Sequence, residues 1–107
     1  MILVRTVFQG KFGKGGDLAK AMSAGNEEFA EVMEKVIGAR RKWRVLSDLS
    51  GSFDTVVFEV EAADMAEWFK ARDAMLQMPE FGESMAETVD MITGGRNEYW
   101  TIEAEGQ

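Results

Sequence analysis

Trp43-Arg44-Val45-Leu46-Ser47-Asp48-Leu49-Ser50-Gly51-Ser52-Phe53-Asp54-Thr55-Val56-Val57-Phe58-Glu59-Val60 reads as two extended runs folded back on each other. The runs take residues 42–49 and 53–61. Ser50-Gly51-Ser52 between them marks the reversal, because glycine accepts the backbone angles that turn a chain. In the second run Val56, Phe58 and Val60 share one face, while Thr55, Val57 and Glu59 share the other, following the period of two. The first face is apolar throughout and needs a cover. The second is mixed, half polar and half apolar.

Outward from the hairpin, each flank repeats one plan. Upstream, residues 2–9 are β-branched and aromatic and predict a strand. A glycine-rich connection, Gly10 to Gly16, ends at Asp17, which suits a helix N-cap. Leu18, Met22, Phe29, Met33, Val36 and Ile37 then form an apolar stripe, with Gly25-Asn26 a break and Gly38 a stop. Downstream, Met65, Trp68, Phe69, Arg72, Met75 and Leu76 mark one side of a helix from about Ala63 to Gln77, which Pro79 ends. Phe81, Met85, Thr88, Val89 and Ile92 suggest a shorter helix before Gly94-Gly95, and Asn97–Glu103 alternates as a last strand. The expectation is an α+β, ferredoxin-like βαββαβ domain over residues 1–107. Its four-stranded antiparallel sheet carries helices on one face. The opposite face, with Leu3, Val7, Val57 and Trp100 or Tyr99, then calls for a partner, and a second copy of the chain is the expected one.

Composition narrows the function classes. With no histidine and no cysteine, Ser-His-Asp and Cys-His nucleophilic arrangements are excluded, as is zinc or haem ligation through the commonest ligands. No metal site and no cofactor is expected: the carboxylates lack EF-hand spacing and read as solvated helix rims. The net charge of −7 is unevenly spread. Residues 1–50 hold nine Lys/Arg against six Asp/Glu, and residues 51–107 hold three against thirteen. This balance works against nucleic acid, and Arg40-Arg41-Lys42 with Arg44 reads as solvated surface. No apolar run approaches the roughly 20 residues of a membrane helix. The opening Met1-Ile2-Leu3-Val4-Arg5 reads as a strand, and a cytoplasmic protein is expected.

Two constellations merit a functional reading, although no catalytic residue is identified. Arg5, Arg44, Glu59 and Tyr99 form a candidate pocket. Arg5 and Glu59 fall on the bare face of neighbouring strands, while the facing of Arg44 and Tyr99 is open. Either these groups orient a polar ligand, with Arg5 stabilising negative charge and Tyr99 offering a hydroxyl, or Arg5 and Glu59 are a structural ion pair. The pair is the preferred reading. Lys11 and Lys14, beside backbone N–H groups before a helix, are candidate anion contacts. The loop has neither GxxxxGK[ST] nor GxGxxG spacing, so a plain connection is preferred. The aromatics and the methionines at helical spacing are read as core.

Arg5-Thr6-Val7-Phe8-Gln9, Lys11-Phe12-Gly13-Lys14, the run Trp43 to Val57, Pro79-Glu80-Phe81 and Gly95-Arg96-Asn97-Glu98-Tyr99 together resemble the dimeric α/β-barrel, ferredoxin-like superfamily. The likeness is greatest to its small NIPSNAP-like and antibiotic-monooxygenase-like domains and extends over nearly the whole chain. It implies a homodimer in which two four-stranded sheets close an eight-stranded barrel. The half-polar, half-apolar sheet face beside the glycine loops then suits a pocket for a small, partly apolar molecule. The resemblance leaves a cofactor-independent monooxygenase acting on an aromatic substrate, or a dimer without a ligand, as alternatives. The catalytic histidine of several branches has no counterpart here, and whether the chain is an enzyme stays open.

Overall fold

The computed structural model describes residues 1–107. Strand β1 (Ile2–Gly10) leads into α1 (Gly15–Ser23) and α2 (Asn26–Ile37). The hairpin β2 (Trp43–Ser47) and β3 (Thr55–Ala62) follows, then α3 (Met65–Leu76), α4 (Pro79–Thr88), a 3₁₀ turn at Val89–Met91 and β4 (Ile92–Thr101). The sheet is antiparallel with order β2-β3-β1-β4. No helix is long and apolar enough to cross a membrane.

Local chemistry explains most boundaries. Gly25 (φ 81°) and Gly38 (φ 76°) lie in the left-handed region and bound α2 at either end. Asp64 caps α3 by accepting from the Glu67 N–H at 2.8 Å, and Glu67 in turn accepts from the Ala63 N–H, a reciprocal arrangement close to a capping box. Pro79 opens α4 at its first turn, where its missing N–H costs nothing.

Val4, Val60, Ala62, Met33, Trp68 and Ala71 make the core between sheet and helices, with Ile2, Trp43 and Phe58 packed around it. Val4 and Val56 are sealed on this side of the sheet, as is Leu18 from α1. Leu3, Arg5, Val7, Arg44, Val57, Glu59, Glu98 and Trp100 belong to the other face, set by the alternation of the paired strands.

The expected barrel is not formed. The sheet is open: β2 and β4 are its two edges, separated by β3 and β1, and do not pair. Four strands are too few to close on themselves, since a barrel with room for interior side chains takes about eight. The fold is therefore corrected to an open four-stranded antiparallel sheet with helices on one face.

Three boundaries also depart from expectation. Helix α1 starts at Gly15 with Lys14 at its N-cap, so Asp17 lies inside the first turn, where its charge suits the helix dipole, and does not cap the helix. The reversal between β2 and β3 runs from Asp48 to Asp54, longer than Ser50-Gly51-Ser52, and is closed by the Thr55 N–H donating to Asp48 Oδ1 at 3.1 Å. Strand β4 begins at Ile92, so Gly94-Gly95 lies inside the strand rather than before it. Gly95 sits opposite Phe8, and a Cβ there would come within 2.7 Å of the Val7 carbonyl oxygen. Glycine here marks close backbone approach, not a turn.

Candidate functional site

The candidate residues Arg5, Arg44, Glu59 and Tyr99 do not share one face. Register brings Arg44 of β2, Glu59 of β3, Arg5 of β1 and Glu98 of β4 into one row across the bare side of the sheet. Charge alternates along it. Glu59 accepts from Arg5 Nε at 2.8 Å through one oxygen and from Arg44 Nε at 3.0 Å through the other. Arg5 Nη1 also donates to Glu98 at 3.0 Å. Glu98 takes further bonds from Arg96 Nε at 2.8 Å and the Trp100 indole at 3.1 Å. The Trp100 hydrogen bond, then the Arg96 contact, hold the Glu98 carboxyl below its ordinary pKa. Glu59 is only 5% exposed, covered by its two arginines. Its oxygens are engaged, which makes this row a self-satisfied lattice of ion pairs.

Tyr99 pairs with Val4 and belongs to the helix-side face. There it lines a groove of about 360 Å³ between the sheet and the helices. Thr6 and Phe8 of β1 and Phe58 of β3 form its floor, and α3 and α4 supply Trp68, Met75, Phe81 and Met85. Most of its lining is apolar or aromatic. The size falls near the lower end of the range of about 300–1,000 Å³ for small-molecule sites. The thioethers of Met22, Met75, Met78 and Met85 give it walls that can re-pack around a guest.

The functional expectation is corrected with the fold. A homodimeric barrel enclosing a ligand needs a barrel interior, and this chain has none. The apolar recess instead lies on the helix side of an open sheet. Its residues escaped the sequence reading because Met22, Met75 and Met85 stand at ordinary core spacing. Periodicity tells which side of a helix faces inward, not whether the inside is filled.

Lys11 and Lys14 are exposed at the Gly10–Gly16 connection. The backbone donors beside them are already engaged, since the Asp54 carboxylate accepts from the Gly13 and Gly15 N–H groups at 2.9 Å each. Asp54 adopts φ 60°, unusual for a residue with a side chain. Gly10 and Gly15 pack so closely on it that a Cβ at Gly15 would fall 2.7 Å from the Asp54 Cα. The loop thus has an internal carboxylate where an outside anion would bind.

A second hollow, about 530 Å³, opens on the bare face between the Asp48–Asp54 turn and β4. Val7 is the one hydrophobic residue of its lining, and the Gln9 and Thr55 side chains there bond one another at 3.1 Å. The two arginines before β2 are also partnered: Arg40 with Glu27 and Glu34, and Arg41 with Glu67.

No protein-family model and no curated protein matches the chain. Solved structures do. An uncharacterised NIPSNAP-like domain protein from Burkholderia xenovorans superposes with a TM-score of 0.80 at 13% identity, covering 99% of this chain and 88% of that one. A NIPSNAP domain protein from the same organism gives 0.77 at 15% identity, covering 100% and 99%. A provisionally named antibiotic biosynthesis monooxygenase from Nitrosomonas europaea gives 0.71 at 8% identity, covering 97% and 100%. The chain has the fold of NIPSNAP-like and antibiotic-monooxygenase-like domains. At these identities the likeness concerns the fold alone.

Proposed function

We propose that this chain is a binding domain for a small, partly apolar molecule, held in the groove between the sheet and its helices. The observation that carries the reading is the groove itself: a recess of about 360 Å³ lined mainly by apolar side chains, most of them aromatic or methionine. Burying an apolar body there removes both its surface and that of the lining from water, at about 25 cal/mol per Å² before the costs of association. Decan-1-ol is a suitable neutral probe. Calorimetric titration is expected to show saturable binding that is lost in Ser84→Trp, which fills the groove from the half-buried side of α4. Absence of saturable binding to the unmodified chain would overturn the proposal. A cytoplasmic location belongs to the same proposal and is checked by cell fractionation.

A second reading concerns the bare face, for which a second copy of the chain is the proposed partner. Trp100 is 56% exposed there, beside the ion row. The alternation of arginine and glutamate along the row makes the face complementary to itself, so a two-fold axis can set each charge against its opposite. Sedimentation at micromolar concentration is expected to give about twice the 11.9 kDa chain mass, and Trp100→Glu should return the monomer. A monomer throughout that range for the unmodified chain would reject this pairing.

A further inference from the structure

Helix α3 supplies one wall of the groove with two residues that each carry an unpartnered buried donor. Trp68 is only 6% exposed, yet its indole Nε1 has no acceptor. Arg72, one turn further on, has its Nε buried and likewise without an acceptor. Both line the groove. Residues four apart on a helix project side by side, so one acceptor group can meet both. Buried donors in folded proteins are almost always paired, and two neighbouring exceptions on residues that line the same recess point to a group that completes them.

The chemistry of that group follows from its surroundings. Arg72 is the one cation among the lining residues. Its guanidinium lies 4.8 Å from the centre of the Phe69 ring and reaches Asp73 only at 3.4 Å, and with 42% of the side chain exposed its charge is shared between solvent and the recess, with no close carboxylate partner. A neutral carbonyl would satisfy the hydrogen bonds and leave the charge. A carboxylate satisfies both, through charge-assisted bonds of the stronger kind. Glu28 and Glu80, both exposed, also line the recess and disfavour a dianion such as phosphate. The remaining lining is mainly apolar, with aromatic rings and thioethers foremost, and suits an apolar tail.

We propose that the groove binds an amphiphilic monocarboxylate, whose carboxylate accepts from Trp68 Nε1 and Arg72 Nε while its apolar tail lies against Phe8, Phe58 and the methionines. The inference rests on the groove being a ligand site and adds the class of ligand. The test compares decanoate, decan-1-ol and decyltrimethylammonium on the unmodified chain, Trp68→Phe and Arg72→Gln, by calorimetry and by the indole N–H signals of the three tryptophans. Trp68→Phe identifies the Trp68 signal by its loss, and the signal is then followed in the unmodified chain. Decanoate is expected to bind about tenfold or more tightly than decan-1-ol. It should shift the Trp68 signal downfield and lose its advantage over decan-1-ol when the two probes are compared on Arg72→Gln. If Trp68→Phe does not fold, the alternative Trp43→Phe and Trp100→Phe assign the signal by exclusion. Equal affinity for decanoate and decan-1-ol, with the Trp68 signal unmoved, would overturn the carboxylate and leave the groove as a site. Preference for decyltrimethylammonium would also overturn it. Failure of all three probes to bind would overturn both readings.

Discussion

Glu59 lies beneath two guanidinium groups on a sheet face with no covering layer, and its environment was half legible in the sequence. Alternation assigned Arg5 and Glu59 to one face, and the expected βαββαβ plan made the first and third strands neighbours. The facing of Arg44 and the places of Glu98 and Arg96 came only from the pairing register, because a one-residue slip reverses every facing. Replacing Glu59 by Gln should cost on the order of 1–3 kcal/mol, since Arg5 and Arg44 lose a shared counter-charge. Chemical denaturation of a double-mutant cycle with Arg5→Met should show coupling; additive effects, with Glu59→Gln itself neutral, would separate the two residues. Glu67 gives a second test at this scale. The Arg41 hydrogen bonds, and after them the bond from the Ala63 N–H, hold its carboxyl below the ordinary value of 4.5 against the opposing effect of burial. Its folded pKa is lowered, so its contribution is present above the unfolded value and is lost as pH falls through the folded one. Stability should therefore decline on the acid side of pH 4.5, and Glu67→Gln should flatten that decline. An unchanged acid profile in the variant would remove Glu67 from the account.

Among the elements, the helices and the central strands were readable because hydrophobic period and capping chemistry agree. Gly38 and Pro79 serve as their types suggest, and Asp64 with Glu67 closes the start of α3. The start of β4 was not readable, since Gly94-Gly95 between a helical pattern and a strand has the signature of a turn. Only the neighbouring strand distinguishes the two glycines. A Cβ at Gly95 meets the Val7 carbonyl, whereas one at Gly94 meets nothing within 4 Å. Gly95→Ala should accordingly destabilise the fold by about 1–3 kcal/mol more than Gly94→Ala. Thermal or urea unfolding of the two variants compares them directly, and equal stabilities would remove close approach as the reason for Gly95.

At the scale of the molecule, order and facing of the elements were accessible and closure was not. The resemblance implied a barrel, while a chain of four strands with separated edges forms an open sheet. That difference relocates the candidate ligand site from a barrel interior to the helix side, where Tyr99 lies and Arg5, Arg44 and Glu59 do not. The measurement that tests this most directly is a chemical-shift map of the isotopically labelled chain titrated with decan-1-ol. The amide signals of Phe8, Phe58, Trp68 and Tyr99 should move together and saturate, while those of Arg5, Arg44 and Glu59 stay in place. Movement centred on Arg5, Arg44 and Glu59, with the groove signals unmoved, would contradict the account.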